Sequence, residues 1–310
     1  MAKPLNIAHR GGADLWPENT LEAFGQAIEL GVDGIEFDLQ ASADGQLVIH
    51  HDARLKPAAT RLDGVFLEKP TPRIDALNLP ELAAYDVGRL QSGSAYAQKR
   101  AQRHAIDGAQ IPTLAAFDEM LAQTPEHFRA YAELKTGLVD AAQAETLAAL
   151  YIDALRSSRV AARHIVISFD WRCINKVRAA FPEMRHAYTT MGLAETDPEH
   201  ESAANDKPGG MAAVIRAASR DGAPWWDDMD WRDMDGKTHG ERVLRAIAAK
   251  GGTGWFADWR DVTEETMAVA RGLGLRVSAW TVNDEAEMQR LADLGVDDLI
   301  TDRPDILKQL

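Results

Sequence analysis

The chain has 310 residues, with 34 basic and 48 acidic side chains and a formal net charge of −14. This charge repels the phosphate backbone of nucleic acids and the anionic surface of membranes, so we expect neither as a partner. No run approaches a membrane-spanning apolar length, and no apolar segment precedes the first predicted strand, which predicts a soluble cytoplasmic protein. The single cysteine, Cys173, excludes an internal disulfide and is predicted to be a core thiol.

Short β-rich runs alternate with Ala-, Leu- and Glu-rich helical runs along the chain. This alternation is typical of βα units on a parallel sheet. Eight strands are predicted, at Asn6–His9, Gly34–Leu39, Arg129–Leu134, His164–Ser168, Arg185–Thr189, Trp255–Ala257, Arg276–Thr281 and Asp298–Thr301. Eight strands, most of them followed by helices, predict an α/β fold of the (β/α)8 TIM-barrel type.

Two stretches, residues 52–112 and 191–250, do not follow the repeat of strand and helix. Neither contains an obvious apolar core. Both are therefore predicted to be insertions at the C-terminal face of a single domain that spans residues 1–310.

Helix boundaries are predicted from the capping residues. Asn19, with Glu22 three residues later, is predicted to form the N-cap and capping box of a helix that ends at Gly31. Asp284 is predicted to open a helix that stops at Gly295.

The second strand carries two acidic residues at alternating positions. Side chains alternate along a strand, so Ile35 and Phe37 are expected to face the outer helices while Glu36 and Asp38 point together into the barrel. Two buried carboxylates repel each other unless a cation lies between them. A third inward carboxylate is expected at Glu133, near the end of another strand.

The dipeptide Asp44-Gly45 predicts a tight hairpin after this strand. Pairing Ala43 with Gln46 across the turn places His51 opposite Asp38. His51 is therefore expected to join the carboxylates, whereas His50 is interpreted as a structural histidine that points away.

The strand ends also carry cations and a second histidine. His9 and Arg10 follow the first strand, and Lys135 follows Glu133 with inward spacing. Active sites of barrel enzymes lie at the C-terminal ends of the strands, where all these residues fall. Arg10 and Lys135 would make the mouth suitable for an anionic substrate such as a phosphodiester, although Lys135 has an alternative as a structural partner of a barrel carboxylate.

Glu36, Asp38 and Glu133 offer three oxygen ligands and no thiolate. This set favours one divalent ion, Mg²⁺ or Ca²⁺, with Mn²⁺ as a third option, over Zn²⁺. Imidazoles ordinarily titrate near neutral pH, so His9 and His51 are predicted to supply one general acid and one general base, with the two roles unassigned.

The residues resemble the glycerophosphodiester phosphodiesterase family. The matching segments follow the order of the family's motifs from residue 7 to residue 304: AHRGG, PENT, GIEFDLQASADGQLVIHHD, IPTLAAFDEML, AELK, ISFD, AWTVND and GVDDLITDRP. The resemblance implies a TIM barrel that hydrolyses glycerophosphodiesters to sn-glycerol 3-phosphate and an alcohol with a divalent metal. The family's catalytic histidines, metal carboxylates and phosphate-contacting cations correspond to His9 and His51, to Glu36, Asp38 and Glu133, and to Arg10 and Lys135.

Substrate choice stays open at this point. Trp280 is expected to line the pocket and pack the glycerol moiety. Trp225, Trp226 and Trp231, among acidic residues, form either a lip for an ammonium head group or a packed loop. Two alternative functions are a phospholipase or lysophospholipase D-type activity on lipids, and a non-catalytic protein that binds glycerophosphodiesters.

Overall fold

The structure is a computed structural model, and it describes residues 3–193 and 211–310. The barrel strands are short and buried on both faces. The strands are β1 (Leu5–His9), β2 (Gly34–Ala41), β3 (Leu47–Ile49), β4 (Arg61–Leu62), β5 (Val65–Phe66), β6 (Tyr85–Asp86), β7 (Arg129–Leu134), β8 (His164–Ser168), β9 (Arg185–Thr190), β10 (Gly254–Asp258), β11 (Arg276–Trp280) and β12 (Asp298–Thr301).

Eight parallel strands form a closed barrel, in the order β1, β12, β11, β10, β9, β8, β7 and β2, with β2 paired back to β1. The predicted (β/α)8 TIM barrel is confirmed, and every predicted strand is present with ends that differ by at most two residues. Strand β3 adds to β2 in the antiparallel direction, as the hairpin prediction required.

Helices follow most of the barrel strands. They are α1 (Leu21–Leu30), α2 (Leu79–Leu82), α3 (Ala95–Lys99), α4 (Leu114–Leu121), α5 (Ala141–Ser157), α6 (Trp171–Ala180), α7 (Met211–Asp221), α8 (His239–Ala249), α9 (Glu264–Gly272), α10 (Glu285–Leu294) and α11 (Pro304–Leu307). Helix α10 is capped by Asp284 and ends at Gly295, as predicted.

The start of helix α1 differs from the prediction. Its N-cap is Thr20, whose hydroxyl accepts a hydrogen bond from the Ala23 amide at 3.2 Å, and not Asn19. Asn19 adopts a left-handed backbone conformation with φ of 58°, which takes its side chain away from the helix. The predicted end at Gly31 is confirmed.

The core has two layers, separated by the barrel wall. Inward-facing side chains form a small apolar cluster inside the barrel: Ile7, Tyr131, Ile165, Ile167, Ala187, Phe256 and Ile300. Outward-facing side chains pack against the helices in a larger cluster, which also buries Cys173 as predicted. A filled barrel interior leaves the functional groups to the ends of the strands.

The stretch 52–112 leaves the barrel after β3 and returns at α4. It carries a small three-stranded sheet of β4, β5 and β6, and it has its own apolar cluster, so the expectation that it lacks a core was wrong. The cluster consists of Val48, Leu55, Ile74, Leu77, Leu82, Val87 and Ile111.

The stretch 191–250 is described on both sides of residues 194–210, which lie outside the described part of the chain. Its last element, α8, packs in the outer helical layer through Val243, Leu244 and Ile247. This part of the stretch therefore continues the regular alternation of strand and helix. Within the described residues, no helix is long and apolar enough to cross a membrane.

Candidate active site

Strand β2 places two carboxylates inside the barrel. Glu36 and Asp38 are almost completely buried, at 1% and 0% exposure. Their neighbours Ile35, Phe37 and Leu39 lie in the outer apolar cluster, in agreement with the expected alternation. The two acidic side chains thus share the inner face of one strand.

A third carboxylate comes from the neighbouring strand. Strands β2 and β7 pair in parallel with Asp38 beside Glu133, so this glutamate is also directed inward. One ligand oxygen from each of Glu36, Asp38 and Glu133 lies within 4.8 Å of the others. The predicted acidic cluster is therefore assembled at the C-terminal end of the barrel.

Burial and mutual repulsion shift the pKa values of this cluster. Burial, together with the Asp38 charge, raises the pKa of Glu36 to about 8. Burial also raises the pKa of Glu133, against the opposing charge of Lys135. The pKa of Asp38 is held well below its usual range because Arg10, His51 and Lys135 outweigh its burial. The carboxylates resist a full negative charge unless cations are close.

Two cations contact the acidic cluster. Arg10 Nε lies 3.0 Å from Asp38 Oδ2, and Lys135 Nζ lies 3.1 Å from Glu133 Oε1 and 3.5 Å from Asp38 Oδ1. The Lys135 contacts match the structural pairing considered for it as well as its expected place at the site. Arg10 also forms an ion pair with Glu18 at 3.0 Å.

A tight turn after β1 returns Arg10 to the site. Arg10 itself has φ of 51°, and Gly11 and Gly12 follow with φ of 83° and 93°. A Cβ atom on Gly11 would lie 2.9 Å from the ring of Phe24 in helix α1. Only glycine fits there, because both the backbone conformation and the helix exclude a side chain.

His9 lies at the end of β1, beside Glu36 in the neighbouring strand. Its Nδ1 donates a hydrogen bond to Asp302 Oδ1 at 2.6 Å, and its Nε2 lies 3.7 Å from Glu36 Oε2. Burial opposes the charged imidazole, but Asp302 and Glu36 raise the pKa of His9. Asn283 donates to Asp302 Oδ2 at 2.8 Å and holds this carboxylate in place.

His51 lies at the same cavity, although the predicted strand register was wrong. The hairpin pairs Leu39 with Ile49, which places His50 opposite Asp38 where His51 was expected. The Ala43 amide donates to Leu77 of the stretch 52–112, which widens the turn by one residue.

The chain leaves the ladder after His50, and the bend that follows directs His51 to the site. His51 Nδ1 donates to Asp52 Oδ1 at 3.1 Å. Burial, with Arg10 and Lys135 close by, lowers the pKa of His51 to about 4.

The sequence assigned no site role to Asn19, Glu18 or Asp302. Asn19 Nδ2 donates to Asp38 Oδ2 at 2.8 Å, so the residue predicted as a helix cap binds a site carboxylate instead. The sequence did contain a signal for their roles, because all three lie in the PENT and TDRP segments. Asp302 also continues the inward-facing positions Asp298 and Ile300 of β12.

Two neighbouring cavities with shared lining residues lie at this end of the barrel. One, of about 90 Å³, is lined by both histidines, Arg10 and the ring of Trp280. The other, of about 400 Å³, shares His51, Lys135 and Trp280 and extends past Phe169. Trp280 thus lies in the predicted pocket, where it stacks on Phe256 with a centroid distance of 6.2 Å.

Of the two alternatives for the tryptophan-rich segment, the structure favours the packed loop. Trp225 and Trp226 are buried, at 3% and 2% exposure, in the outer cluster. Trp226 stacks on Trp171 of helix α6 at 4.6 Å, and Trp231 packs against His239. The packed-loop alternative is therefore correct for Trp225 and Trp226, because no open face is left for an ammonium group.

A closed barrel with buried carboxylates, two histidines and two cations at its C-terminal end is an arrangement that suits an enzyme acting on an anionic ester. Residues 9–306 match the model of the "Glycerophosphoryl diester phosphodiesterase family". The chain therefore belongs to this family and is an enzyme of the phosphoric diester hydrolase class.

Individual proteins agree with the family match. A glycerophosphodiester phosphodiesterase of Caldanaerobacter subterraneus is 26% identical over 99% of this chain and 98% of its own length. A glycerophosphodiester phosphodiesterase of Bacillus subtilis is 25% identical over 99% of this chain and 86% of its own. A crystal structure of a proposed glycerophosphoryl diester phosphodiesterase from Silicibacter pomeroyi is 27% identical, with a TM-score of 0.81 over 99% of this chain and 92% of that one.

Proposed function

We propose that this enzyme hydrolyses glycerophosphodiesters to sn-glycerol 3-phosphate and an alcohol, with a divalent metal and two histidines. One observation carries the proposal: Glu36 and Glu133 of the carboxylate cluster line the same cavity as two imidazoles, each of which is held by an aspartate. This arrangement supplies a cation site and two proton-transfer groups at one cavity, which are the requirements of metal-assisted phosphodiester hydrolysis.

The residues present fit a hard divalent ion. Asp38 Oδ1 is buried and has no hydrogen-bond partner in the described part of the chain; Lys135 Nζ lies 3.5 Å away, so this oxygen can still accept a cation. Glu36, Asp38 and Glu133 would hold Mg²⁺, Ca²⁺ or Mn²⁺, because all three supply carboxylate oxygens. When bound, the ion would stabilise negative charge on the phosphoryl oxygens.

The histidines move the protons in the proposed reaction. Asp302 and Asp52 each accept a hydrogen bond from a histidine Nδ1, which orients the ring and leaves Nε2 of His9 and His51 for the substrate. One imidazole removes the proton of the nucleophile, and the other protonates the departing alkoxide. The nucleophile is either water or a neighbouring hydroxyl of the substrate, in which case the first product is a cyclic phosphate.

The remaining residues bind the substrate. Arg10 and Lys135 would contact the phosphate oxygens, since both cations lie beside the carboxylate cluster. Trp280, stacked on Phe256, would pack the glycerol moiety in the smaller cavity. The larger cavity of about 400 Å³ would receive the alcohol moiety.

The two alternatives have less support. A lipid substrate would favour an apolar or basic rim, whereas the chain as a whole carries a charge of −14. A non-catalytic binding protein would not need both histidines and the acidic cluster. A cytoplasmic location and the absence of nucleic-acid and membrane partners stay predictions.

The test is a glycerol 3-phosphate release assay over a panel of diesters, with Mg²⁺, Ca²⁺ and Mn²⁺ added in turn. The panel contains glycerophosphocholine, glycerophosphoglycerol and a lysophospholipid. We expect release from the water-soluble diesters and complete loss of activity with EDTA. Full turnover in EDTA would contradict the metal requirement. The lysophospholipid is followed by release of its head-group alcohol, because D-type cleavage leaves lysophosphatidic acid and no free glycerol 3-phosphate; cleavage of this substrate alone would favour the lipid alternative.

A further inference from the structure

Helix α3, in the stretch 52–112, contacts residues that neighbour the active site. Its residue Tyr96 contacts groups on two sides of the site, one through its hydroxyl and one through its ring. Tyr96 is connected to the site through other residues: Glu18 lies between it and Arg10, and Lys56 and Asp52 lie between it and His51.

The hydroxyl of Tyr96 is linked to Arg10 through the Glu18 carboxylate. It donates a hydrogen bond to Glu18 Oε2 at 2.6 Å, while Glu18 Oε1 accepts from Arg10 Nη1 at 3.0 Å. The side chains of Glu18 and Arg10 are only 12% and 13% exposed, so this pair is little screened by water. Arg103 also contacts Glu18 Oε2, at 3.3 Å.

The ring of Tyr96 is linked to His51 through Lys56 and Asp52. Lys56 Nζ lies 5.1 Å from the ring centroid, within the range of a cation–π contact. The same ammonium forms an ion pair with Asp52 Oδ2 at 2.5 Å, and Asp52 Oδ1 accepts from His51 Nδ1 at 3.1 Å. One tyrosine therefore stands between the carboxylates that hold Arg10 and His51.

We propose that Tyr96 is a positioning residue that sets the place of Arg10 and His51 relative to each other. This inference rests on the proposed function, in which Arg10 contacts the phosphate and His51 transfers a proton. The Tyr96 hydroxyl fixes the Glu18 carboxylate that binds Arg10. The Tyr96 ring restricts Lys56, which in turn holds the Asp52 carboxylate that orients His51.

Because the hydroxyl contacts Glu18 and the ring contacts Lys56, two substitutions of Tyr96 should affect Arg10 and His51 differently. Tyr96→Phe keeps the ring and removes the hydroxyl, so it loosens only the Arg10 side. Tyr96→Leu removes both of these contacts, and also the contact of Arg100 with the ring at 4.5 Å, so it loosens the His51 side as well. Tyr85→Phe is the matched control, because Tyr85 lies on β6 of the same stretch and the substitution removes the same atom.

Steady-state kinetics on the best diester of the panel separates a positioning role from a structural one. We expect Tyr96→Phe to raise KM about tenfold with kcat little changed, the size expected for one hydrogen bond to a charged group. Tyr96→Leu is expected to lower kcat as well and to shift the pH dependence of kcat. The double variant Tyr96→Phe/Glu18→Gln should have the same KM as Glu18→Gln alone, because both substitutions act on Arg10 through the Glu18 carboxylate.

The affinity for sn-glycerol 3-phosphate, measured by calorimetry in the presence of Mg²⁺, tests the effect of Tyr96 on Arg10 without requiring turnover. We expect Tyr96→Phe to weaken this binding and Tyr85→Phe to leave it unchanged, with equal thermal midpoints for the two variants. An inactive wild type that still shows this difference would reject the hydrolysis while supporting the positioning role. Equal KM and equal affinity in Tyr96→Phe and Tyr85→Phe would overturn it, even with an active wild type.

Discussion

The two faces of strand β2 are both buried, yet they carry opposite chemistry. Outward, Phe37 packs against Phe117 with ring centroids 4.4 Å apart, in a cluster with Ile35 and Leu39. Inward, Glu36 and Asp38 face other charged groups at the barrel end. The outer face stabilises the fold by apolar burial, whereas the inner face depends on nearby cations to offset the desolvation of two carboxylates.

This difference separates stability from activity along a single strand. A substitution on the outer face is expected to affect the free energy of unfolding, and one on the inner face the reaction. The same reasoning extends to His9, which lies beside Glu36 across the β1–β2 ladder.

The largest effect is expected for the histidines. His9→Ala and His51→Ala should each lower kcat by about 100- to 10,000-fold, the range for loss of a general acid or base. His127→Ala is the control, because His127 is exposed at the surface. Glycerol 3-phosphate release at saturating diester measures the effect, and kcat values within a few-fold of the wild type would reject the proposed proton transfers.

Substitution of an inner-face carboxylate should act on metal binding. Glu36→Gln is expected to weaken metal affinity by more than about 100-fold, since loss of groups that merely support a ligand already costs 10- to 100-fold. Mn²⁺ titration followed by calorimetry measures the affinity, with the exposed Glu22→Gln as the control. Unchanged affinity in Glu36→Gln would place the metal elsewhere.

Metal binding should depend on pH through Glu36. With a pKa of about 8 in the metal-free protein, this carboxyl is protonated at pH 6.5 and must lose its proton when a metal binds. Metal affinity should therefore rise with pH by up to about tenfold per unit and level off above pH 8. Calorimetry in buffers of different ionisation enthalpy should show release of about one proton at pH 6.5 and fewer at pH 9; equal proton release at both would contradict this.

On the outer face, Phe37→Ala should lower the free energy of unfolding by about 3–5 kcal/mol, because it opens a cavity among aromatic rings. Chemical denaturation measures this loss, and Phe37→Leu should lose less. We expect kcat of the folded protein at low temperature to stay within a few-fold of the wild type. A loss of kcat comparable to that of the histidine variants would show that the two faces are not separable.

The smallest effect on the reaction is expected at Trp226, which is stacked on Trp171 in the outer layer. Trp226→Ala should lower stability but leave the ratio of kcat/KM for glycerophosphocholine and glycerophosphoglycerol unchanged. A change in this ratio would support the alternative in which the tryptophans bind an ammonium head group, which the burial of Trp225 and Trp226 argues against.

Several site residues were predictable because the signals are local. The period of two along β2 placed Glu36 and Asp38 inward, and it did the same for Glu133 on β7. The partner of His9 was missed, since Asp302 is 293 residues from His9 in the chain. The hairpin register failed for a similar reason, because the Ala43 amide bonds to Leu77 rather than within the turn.

By itself, the sequence determined the alternation of strands and helices, the side of each strand that carries charge and the membership of a family whose motifs recur in order. These properties depend on residues close together in the chain or on their spacing. Only the tertiary structure decided that Asn19 binds Asp38 instead of capping a helix, and that Trp226 is buried. It also brought Tyr96 between the groups that hold Arg10 and His51. Hydrogen bonds and packing between distant segments compete with local preferences, and their outcome is not encoded in any single stretch of the chain.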